Sequence, residues 1–313
     1  MLIGVDLGGT NIKVGAVNQK GEIVYQNIRP TNPSRGYELI IQDIIEQIEG
    51  VLAQMGLPIE DIQSIGIGIP GLSESVTGRV IYCTNLFWYD IPLGEKIKIH
   101  FQRPVYVEND ATVAALAESI SGSTKGLSNS VFLTIGTGVG GGIIINNKVY
   151  SGSHGAGSEI GHMIVGENFY SCNCGQNGCL ETFVSATGMI RYAQKRIHEG
   201  VKDTEILHSV NNKLEDINGK VIFDAAQKGD PLGAEVVERA VNYLATGIIN
   251  IYNLLDPERI AIGGGISRAG NLLLNPLREA VHKRVFCKDV NYGDIALAQL
   301  GNDAGIIGAA FLG

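Results

Sequence analysis

The spacing of apolar residues changes near the start of the chain. Short apolar runs occur at Ile3–Asp6, Ile12–Val17 and Ile23–Gln26, and glycine or polar turns separate them. Runs of this length between turn residues are typical of β-strands. From Tyr37 to Met55 the apolar residues instead recur every three to four positions, which is the period of an amphipathic helix. The pattern therefore predicts three strands followed by a helix.

Strands and helices continue to alternate after this helix. A buried strand is expected at Ile65–Ile69, where a proline and a glycine follow, and another is expected at Val105–Val107. Asp110 is then expected to cap a helix that extends to about Ser119. The predicted order β-β-β-α-β-α-β-α describes a lobe of the α/β class.

The strand and glycine-turn theme starts again at Ser130. The segment VFLTIGTGVGGGIIINNKVY repeats the strand, glycine turn and strand of MLIGVDLGGTNIKVGAVNQKGEIV. Repetition of one unit within a chain indicates an internal duplication. We therefore expect a duplicated two-lobe α/β fold, in which ligand binds in a cleft between the lobes.

The second half of the chain supplies the remaining elements. A long helix is predicted between Asp230 and Asp256, because a capping residue is followed by proline at the first helical position. A strand at Arg259–Ile262 and a further helix follow. The expected organisation is an N-terminal lobe of residues 1–118, a C-terminal lobe of residues 119–302, and a C-terminal helix at 303–313 that joins the first lobe.

Composition and charge exclude several classes of partner. Hydrophobic residues make up 44% and charged residues 18%, as in an ordinary folded protein. The net charge of −8 repels nucleic acid and anionic membranes, so neither is expected as a partner. No basic segment precedes the first apolar run, and glycines interrupt the uncharged stretch between Lys125 and Lys148. We expect a cytoplasmic protein that binds a small uncharged metabolite such as a sugar.

Glycine clusters are placed where a polyphosphate could bind. Asp6 ends the first predicted strand, and glycines in the following DLGGTN turn let N–H groups and the Thr10 hydroxyl approach phosphate oxygens. Asp6 is expected to hold Mg²⁺ through water, since this ion prefers oxygen ligands. GTGVGG is the corresponding turn of the second lobe, and GGG after the strand at Arg259–Ile262 suits an adenosine. The predicted nucleotide-binding residues are Asp6, Gly8, Gly9, Thr10, Asn11, Lys13, Gly136, Thr137, Gly138, Gly140, Gly263, Gly264 and Gly265.

Two other nucleotide-binding folds do not match this chain. It contains no GxxxxGK[ST] motif, which excludes a P-loop enzyme. No GxGxxG with a distant acidic residue follows the first strand, which argues against a dinucleotide site. One glycine turn alone is as often structural as functional, so the nucleotide hypothesis depends on the presence of both turns.

Three of the five cysteines lie within eight residues. Together with His162, the thiols of Cys172, Cys174 and Cys179 form a donor set that is typical of a closed tetrahedral zinc site. Cys172 and Cys174 are too close in sequence for an unstrained disulfide. Four protein ligands leave no open position for water, so we expect a structural zinc that holds the loop of residues 162–181. The alternative is a group of reduced, buried thiols.

Two carboxylates flank this zinc loop. Glu159 precedes His162 by three residues, and Glu181 follows Cys179 by two, so the loop would hold both acids in place. Fixed carboxylates can accept hydrogen bonds from sugar hydroxyls. If one ring nitrogen of His162 binds zinc, the other carries the proton and becomes a fixed donor. The alternative is that the acids are merely exposed and that His162 binds only metal.

Asn109 and Asp110 lie where a predicted strand meets a predicted helix. A carboxylate at a helix N-terminus is stabilised as the anion by about 0.3–1 kcal/mol. Asp110 should therefore stay ionised and can accept a proton. The alternative is that Asp110 is only a helix cap.

Four motifs together resemble one protein family. DLGGTN, GTGVGGG, EIGH and CNCGQNGCLE are similar to the motifs of the ROK family of sugar kinases, within the actin-like ATPase (ribonuclease H-like) fold. The resemblance covers essentially the whole chain. It implies ATP-dependent phosphorylation of a sugar with Mg²⁺, Asp110 as the catalytic base and Asn109 as a sugar ligand. It also implies that Glu159, His162 and Glu181 bind the sugar.

The preferred sugar is inferred from a shorter resemblance. NLFW, at Asn85–Trp88, resembles the NL-x-W stretch of ROK glucokinases, which favours phosphorylation of glucose to glucose 6-phosphate. Gly71 and Asn85 are further sugar-binding candidates, whereas Trp88 is more typical of core or hinge packing. The alternatives are a kinase for N-acetylglucosamine, N-acetylmannosamine or fructose, and a sugar sensor without catalytic activity.

Some ROK members are repressors that carry a DNA-binding helix-turn-helix ahead of the kinase lobes. This chain opens on the first predicted strand, and it keeps Asp6, Thr10 and Asp110. We therefore expect an enzyme, and the resemblance implies a homodimer or homotetramer.

Overall fold

The computed structural model describes residues 1–313, and its strands form three sheets. The strands are β1 (Leu2–Leu7), β2 (Asn11–Val17), β3 (Ile23–Pro30), β4 (Ser64–Ile69), β5 (Leu72–Glu74), β6 (Arg79–Cys83), β7 (Trp88–Ile91), β8 (Val105–Asn109), β9 (Ser130–Ile135), β10 (Val139–Ile145), β11 (Lys148–Val149), β12 (Arg259–Gly263) and β13 (Asp294–Leu297).

Two of these sheets have five strands each, and their strand orders match. The first is β3-β2-β1-β4-β8 and the second is β11-β10-β9-β12-β13. In the first sheet β1 pairs antiparallel with β2 and parallel with β4, and β4 pairs parallel with β8. In the second sheet β10 pairs antiparallel with β11, and β12 pairs parallel with β13. The matching order confirms the duplicated α/β fold that the repeated segments predict.

The helices follow the periodicity of the sequence. They are α1 (Tyr37–Met55), α2 (Leu93–Phe101), α3 (Asp110–Ser121), α4 (Glu181–Val184), α5 (Ala186–His198), α6 (Glu205–Ser209), α7 (Gly219–Gln227), α8 (Pro231–Leu255), α9 (Asn271–Arg284) and α10 (Ala304–Ala310). The bounds of α1 are those predicted, and its buried face includes Ile40, Ile44 and Ile48. Asp230 caps α8 as expected, because its side chain accepts the N–H of Gly233 at 2.7 Å.

The third sheet, β5-β6-β7, was not predicted from the sequence. Its strands have only three to five residues, too few to show a clear alternation of apolar and polar positions. It carries Trp88, which is 3% exposed and packs in the hydrophobic core with Leu86.

The last helix lies against the first sheet, and glycines make this contact possible. A Cβ atom at Gly4 of β1 would lie 1.9 Å from the carbonyl oxygen of Ile306. One at Gly66 of β4 would lie 1.7 Å from the carbonyl oxygen of Ala309. Any side chain at these positions would therefore displace α10 from the sheet.

The chain forms two compact units. The first contains residues 1–132, 142–158 and 299–313, and the second contains residues 133–141 and 159–298. The predicted lobes differ from these units mainly in residues 119–132 and 142–158, which group with the first unit. The lobe boundaries at 118 and 302 remain a prediction from the repeat in the sequence.

Candidate functional site

The turn between β1 and β2, here called the first turn (residues 8–11), is closed by its own backbone and by a buried threonine. The Gly8 N–H donates to the Asn11 carbonyl at 2.9 Å. Thr31 donates its hydroxyl to the Gly8 carbonyl at 2.7 Å and its N–H to the Thr10 carbonyl at 2.9 Å. Thr31 is fully buried. The backbone of the predicted phosphate turn is therefore fixed from behind, by a residue that sequence reasoning missed.

Asp6 and Lys13 face one another beside the first turn. They are direct partners in the β1–β2 register, and Lys13 Nζ lies 2.7 Å from Asp6 Oδ2. The side chains keep 21% and 24% of their exposure, respectively. Gly305 leaves space for the carboxylate, since a Cβ there would lie 2.6 Å from Asp6 Cγ. The pair thus places one negative and one positive group where the strand meets the turn.

Two arginines connect the Thr31 region to α1. Arg35 donates to the Thr31 carbonyl at 3.0 Å and also pairs with Asp43, which is buried in α1. Arg29 donates to the other oxygen of Asp43 at 2.7 Å. This network connects α1 to the first turn, and nothing in the sequence spacing indicated it.

The expectation that Asp110 caps α3 is wrong. Asn109 is the capping residue, because its extended backbone places the side-chain oxygen 2.9 Å from the Ala111 N–H and 3.2 Å from the Thr112 N–H. Asp110 is the first helical residue and is exposed, and its Oδ1 accepts the Ala111 N–H at 2.8 Å. Both residue types are good caps, so spacing alone did not distinguish them. Asp110 thus shares the Ala111 N–H with Asn109, and Asn109 alone accepts the Thr112 N–H.

Three of the predicted sugar-binding residues lie near this helix start or the first turn. The Asn109 amide donates to the Gly71 carbonyl at 3.1 Å. A Cβ at Gly71 would lie 2.3 Å from the Tyr82 carbonyl oxygen, so only glycine fits against β6 there. Asn85 is exposed and adjoins the first turn, since a Cβ at Gly9 would lie 3.3 Å from Asn85 Cβ.

The NLFW segment divides into a buried and an exposed aromatic residue. Trp88 is a core residue, which agrees with the expectation of core or hinge packing rather than a sugar platform. Phe87 is 83% exposed and has a positive φ of 56°, an uncommon conformation for a residue with a side chain.

The turn between β9 and β10, here called the second turn (residues 136–138), is held by the start of α5. The Gly136 N–H donates to the Gly138 carbonyl at 2.9 Å, and the Gly136 carbonyl accepts the Ala186 N–H at 2.8 Å. Thr187 donates its hydroxyl to the Thr137 carbonyl at 2.8 Å. The turn is thus fixed mainly through carbonyl groups.

A cavity of about 850 Å³ opens beside the second turn within the second unit. Gly136, Thr137 and Gly265 line it, as the nucleotide hypothesis expects, whereas Gly263 and Gly264 do not. Gly264 instead packs on β9, where a Cβ would lie 2.5 Å from the Ile135 carbonyl oxygen. Sequence reasoning missed most of the lining residues, which include Met189, Asn218, Lys220, Phe223, Gln227 and Arg268. The size suits an adenosine-sized ligand.

The structure brings the four predicted metal ligands together. The ligand atoms of His162, Cys172, Cys174 and Cys179 all lie within 4.8 Å of one another. Cys174 Sγ is 3.6 Å from Cys179 Sγ, and His162 Nδ1 is 3.7 Å from Cys172 Sγ. A tetrahedron with metal–sulfur bonds of about 2.3 Å has edges of about 3.8 Å, so the cluster is compatible with zinc.

The pKa values of the three thiols are shifted in different directions. Burial raises the pKa of the Cys172 thiol and raises that of Cys179 to about 12. The Gln176 backbone N–H lowers the pKa of Cys174, which is the exposed cysteine of the three. Binding of a metal ion to these sulfurs would release the thiol protons.

Glu181 joins the cluster to the second turn. It is the first residue of α4, and its Oε2 accepts the Val139 N–H at 2.8 Å. Its Oε1 lies 3.8 Å from Cys172 Sγ. Glu159 is exposed and precedes the short 3₁₀ turn that ends at His162. Both predicted carboxylates therefore lie at the ends of the zinc loop.

An arginine that sequence reasoning missed braces the zinc loop. Arg239 of α8 donates to the Asn168 side-chain oxygen at 3.0 Å, and its guanidinium lies over the rings of Phe183, Tyr192 and Tyr243 at 4.4–5.0 Å. Asn168 in turn donates to the Thr182 carbonyl at 3.0 Å. Burial lowers the pKa of Arg239. This chain of contacts fixes the backbone directly after Glu181.

No helix in the structure is both long enough and apolar enough to span a membrane.

The whole chain is similar to known proteins. A glucokinase of Halalkalibacterium halodurans is 38% identical over 99% of this chain and 94% of its own length. A xylose repressor of Caldicellulosiruptor bescii is 31% identical over 98% of this chain and 76% of its own length. The crystal structure of a ROK family glucokinase from Streptomyces griseus, in complex with glucose and AMPPNP, is 33% identical and superimposes with a TM-score of 0.81, covering 99% of this chain and 98% of that one. The ROK family model matches residues 2–313, and the chain therefore belongs to the ROK family.

Proposed function

We propose that this protein is an ATP-dependent hexokinase that converts glucose to glucose 6-phosphate. The observation that carries the proposal is the start of α3, where Asn109 caps the helix and Asp110 presents an exposed carboxylate. The alternative role for Asp110 was that of the helix cap, and Asn109 is the N-cap residue. The Halalkalibacterium glucokinase and the glucose-bound Streptomyces structure support the assignment.

In the proposed reaction Asp110 acts as the general base. The sugar 6-hydroxyl attacks the γ-phosphorus of ATP, the bond from that phosphorus to the β-phosphate oxygen breaks, and ADP leaves. The hydroxyl proton passes to an oxygen of Asp110 as the new bond forms. Phosphoryl transfer depends mainly on alignment and charge neutralisation, so the base takes the proton late. Asp110 is the first residue of α3, and a helix N-terminus stabilises a carboxylate anion.

The proposed nucleotide contacts come from both glycine turns. N–H groups of the first turn and the Thr10 hydroxyl would bind phosphate oxygens, and Lys13 would neutralise their charge. One carboxylate, Asp6, suits Mg²⁺, because this ion keeps several waters and takes its other ligands from phosphates. The second turn would supply further N–H donors, and the neighbouring cavity would bind the adenosine.

The Cys₃His cluster would hold a structural zinc ion. Its ligands are His162, Cys172, Cys174 and Cys179, and four protein donors leave no position for substrate. The ion would cross-link the zinc loop and keep Glu159 and Glu181 in place. These carboxylates, the second nitrogen of His162 and the Asn109 amide would then bind the sugar hydroxyls.

The direct test is ADP release from MgATP with glucose, mannose, fructose, N-acetylglucosamine and N-acetylmannosamine. Clear preference for glucose is expected. Preference for an N-acetylated sugar or fructose would preserve the mechanism and overturn the substrate. Asp110→Asn should reduce kcat by at least about 10² while sugar affinity changes little. Near wild-type turnover in that variant would refute the base assignment.

A second candidate function is a sugar sensor without turnover. The similarity to a xylose repressor favours it, because the family includes regulators. A sensor would bind sugar in calorimetry and release no ADP with any sugar of the panel, whereas the kinase hypothesis requires both binding and turnover.

A further inference from the structure

Glu181 has different neighbours on its two carboxylate oxygens. Oε2 accepts the Val139 N–H at 2.8 Å, directly beyond the second turn. Oε1 lies 3.8 Å from Cys172 Sγ, on the side of the zinc cluster. One side chain thus contacts both the proposed phosphate turn and the proposed zinc site.

The second turn is shaped to accept this carboxylate. A Cβ at Gly138 would lie 2.5 Å from Glu181 Oε2, so a side chain there would displace the carboxylate. The turn is also closed by the hydrogen bond from Gly136 to Gly138. A charged acceptor forms a stronger hydrogen bond than a neutral one, so the Val139 peptide is strongly oriented. That peptide ends the turn, and its direction determines where the preceding N–H groups point.

The backbone that carries Glu181 is itself anchored to the zinc loop. Thr182 donates both its N–H and its hydroxyl to the Cys179 carbonyl, at 2.9 and 2.8 Å. Asn168 donates to the Thr182 carbonyl. A displacement of Cys179 therefore moves the start of α4 and the carboxylate with it.

We propose that Glu181 is a positioning residue for the second turn. Through this role it makes nucleotide binding depend on the zinc loop. The inference rests on the proposed function, because it concerns the proposed nucleotide site. It goes beyond sugar binding by Glu181, which involves the carboxylate and a hydroxyl but not the second turn. Loss of the metal should consequently weaken nucleotide binding even when no sugar is present.

The test is calorimetric binding of MgAMPPNP to the zinc-loaded protein without sugar. Glu181→Ala removes both contacts and should weaken binding about tenfold, as expected for loss of a hydrogen bond to a charged acceptor. Glu181→Gln keeps one acceptor oxygen for the Val139 N–H and should stay within about threefold of wild type. The matched control is Glu167→Ala, which removes an exposed carboxylate of the same loop and should leave nucleotide affinity unchanged.

Two outcomes would overturn the inference. One is Glu181→Ala binding MgAMPPNP as tightly as wild type, and the other is an equal loss in Glu167→Ala. If wild-type protein binds no nucleotide, the proposed function fails. If wild-type protein binds nucleotide and Glu181→Ala binds it with the same affinity, only the positioning role is refuted.

A second measurement does not depend on the variants folding or on nucleotide binding. Amide hydrogen exchange of wild-type protein should show faster exchange at residues 136–141 after zinc is removed by a chelator. Faster exchange confined to residues 162–181, with unchanged exchange at 136–141, would contradict the link through Glu181.

Discussion

The two glycine turns occupy equivalent places in duplicated sheets, but they are stabilised by different means. The first turn is fixed by Thr31, which is fully buried and donates to the carbonyls of Gly8 and Thr10. The second turn is fixed by the start of α5 and by the Glu181 carboxylate, which belongs to the zinc loop. The two sheets share their strand order, whereas different residues support the two turns.

The two turns differ more in their charged residues than in the contacts that hold their backbone. Alignment of Gly8 with Gly136 places Thr134 at the position of Asp6 and Gly141 at that of Lys13. Only the first turn therefore combines a carboxylate with an ammonium group, while the second offers N–H groups and hydroxyls. Under the proposed function, the charged groups that act on Mg²⁺ and phosphate would therefore lie at the first turn, and the second turn would contribute N–H donors.

The largest expected effect comes from removing charge at the first turn. Asp6→Asn keeps the shape of the side chain and removes the proposed Mg²⁺ partner, so kcat should fall by about 10²–10³. The fold should be nearly unaffected, because the Lys13 pair is partly exposed and contributes about 1 kcal/mol or less. Steady-state kinetics at saturating glucose and MgATP measures the loss.

Thr134→Val is the matched control for Asp6→Asn at the equivalent position of the second sheet. It should retain kcat within about threefold, since it removes no charge. Equal losses in both variants would refute the division of roles between the turns.

The next largest effect concerns the support of the second turn. Arg239→Met keeps much of the apolar stem but loses the hydrogen bond to Asn168 and the contacts over three aromatic rings. Unfolding free energy should fall by about 1–3 kcal/mol in urea titration. Hydrogen exchange should accelerate at residues 136–141 and stay unchanged at residues 8–11. Acceleration at both turns would indicate general destabilisation instead.

Thr31 provides the corresponding test of the first turn. Thr31→Val is nearly isosteric and removes the hydroxyl that donates to Gly8, which should cost about 1–2 kcal/mol of stability. The KM for MgATP should rise about tenfold, with little change in kcat, because the turn binds phosphate in the ground and transition states alike. Thr31→Ser keeps the donor and should restore the KM. Failure of serine to restore it would mean that the methyl group is needed as well as the hydroxyl.

The contrast between the turns also shows what a sequence can predict. The duplication of the fold, the bounds of α1 and the four ligands of the cysteine cluster follow from repeated motifs and local spacing, which a sequence displays directly. Thr31 has no such signal, because its role depends on β3 delivering it behind a turn formed about twenty residues earlier. Arg239 meets Asn168 across 71 positions of sequence for the same reason.

The start of α3 shows a different limit. Asn109 and Asp110 are both suitable caps, and the choice depends on which residue leaves the strand in an extended conformation. The sequence correctly predicts a strand–helix junction there. It does not predict which of the two residues is the N-cap and which begins the helix, although the proposed catalysis depends on this difference.

The smallest expected effect comes from the one side-chain hydroxyl of α5 that donates to the second turn. Thr187→Ala removes the hydroxyl that donates to the Thr137 carbonyl, but the backbone bond from Ala186 to Gly136 remains. The loss should therefore be about 0.5–1 kcal/mol, which corresponds to a two- to fivefold rise in the KM for MgATP. Thr187→Ser retains the donor and should match wild type. A rise as large as that in Thr31→Val would mean that both turns depend equally on a single threonine hydroxyl, and the contrast between them would then rest on charge alone.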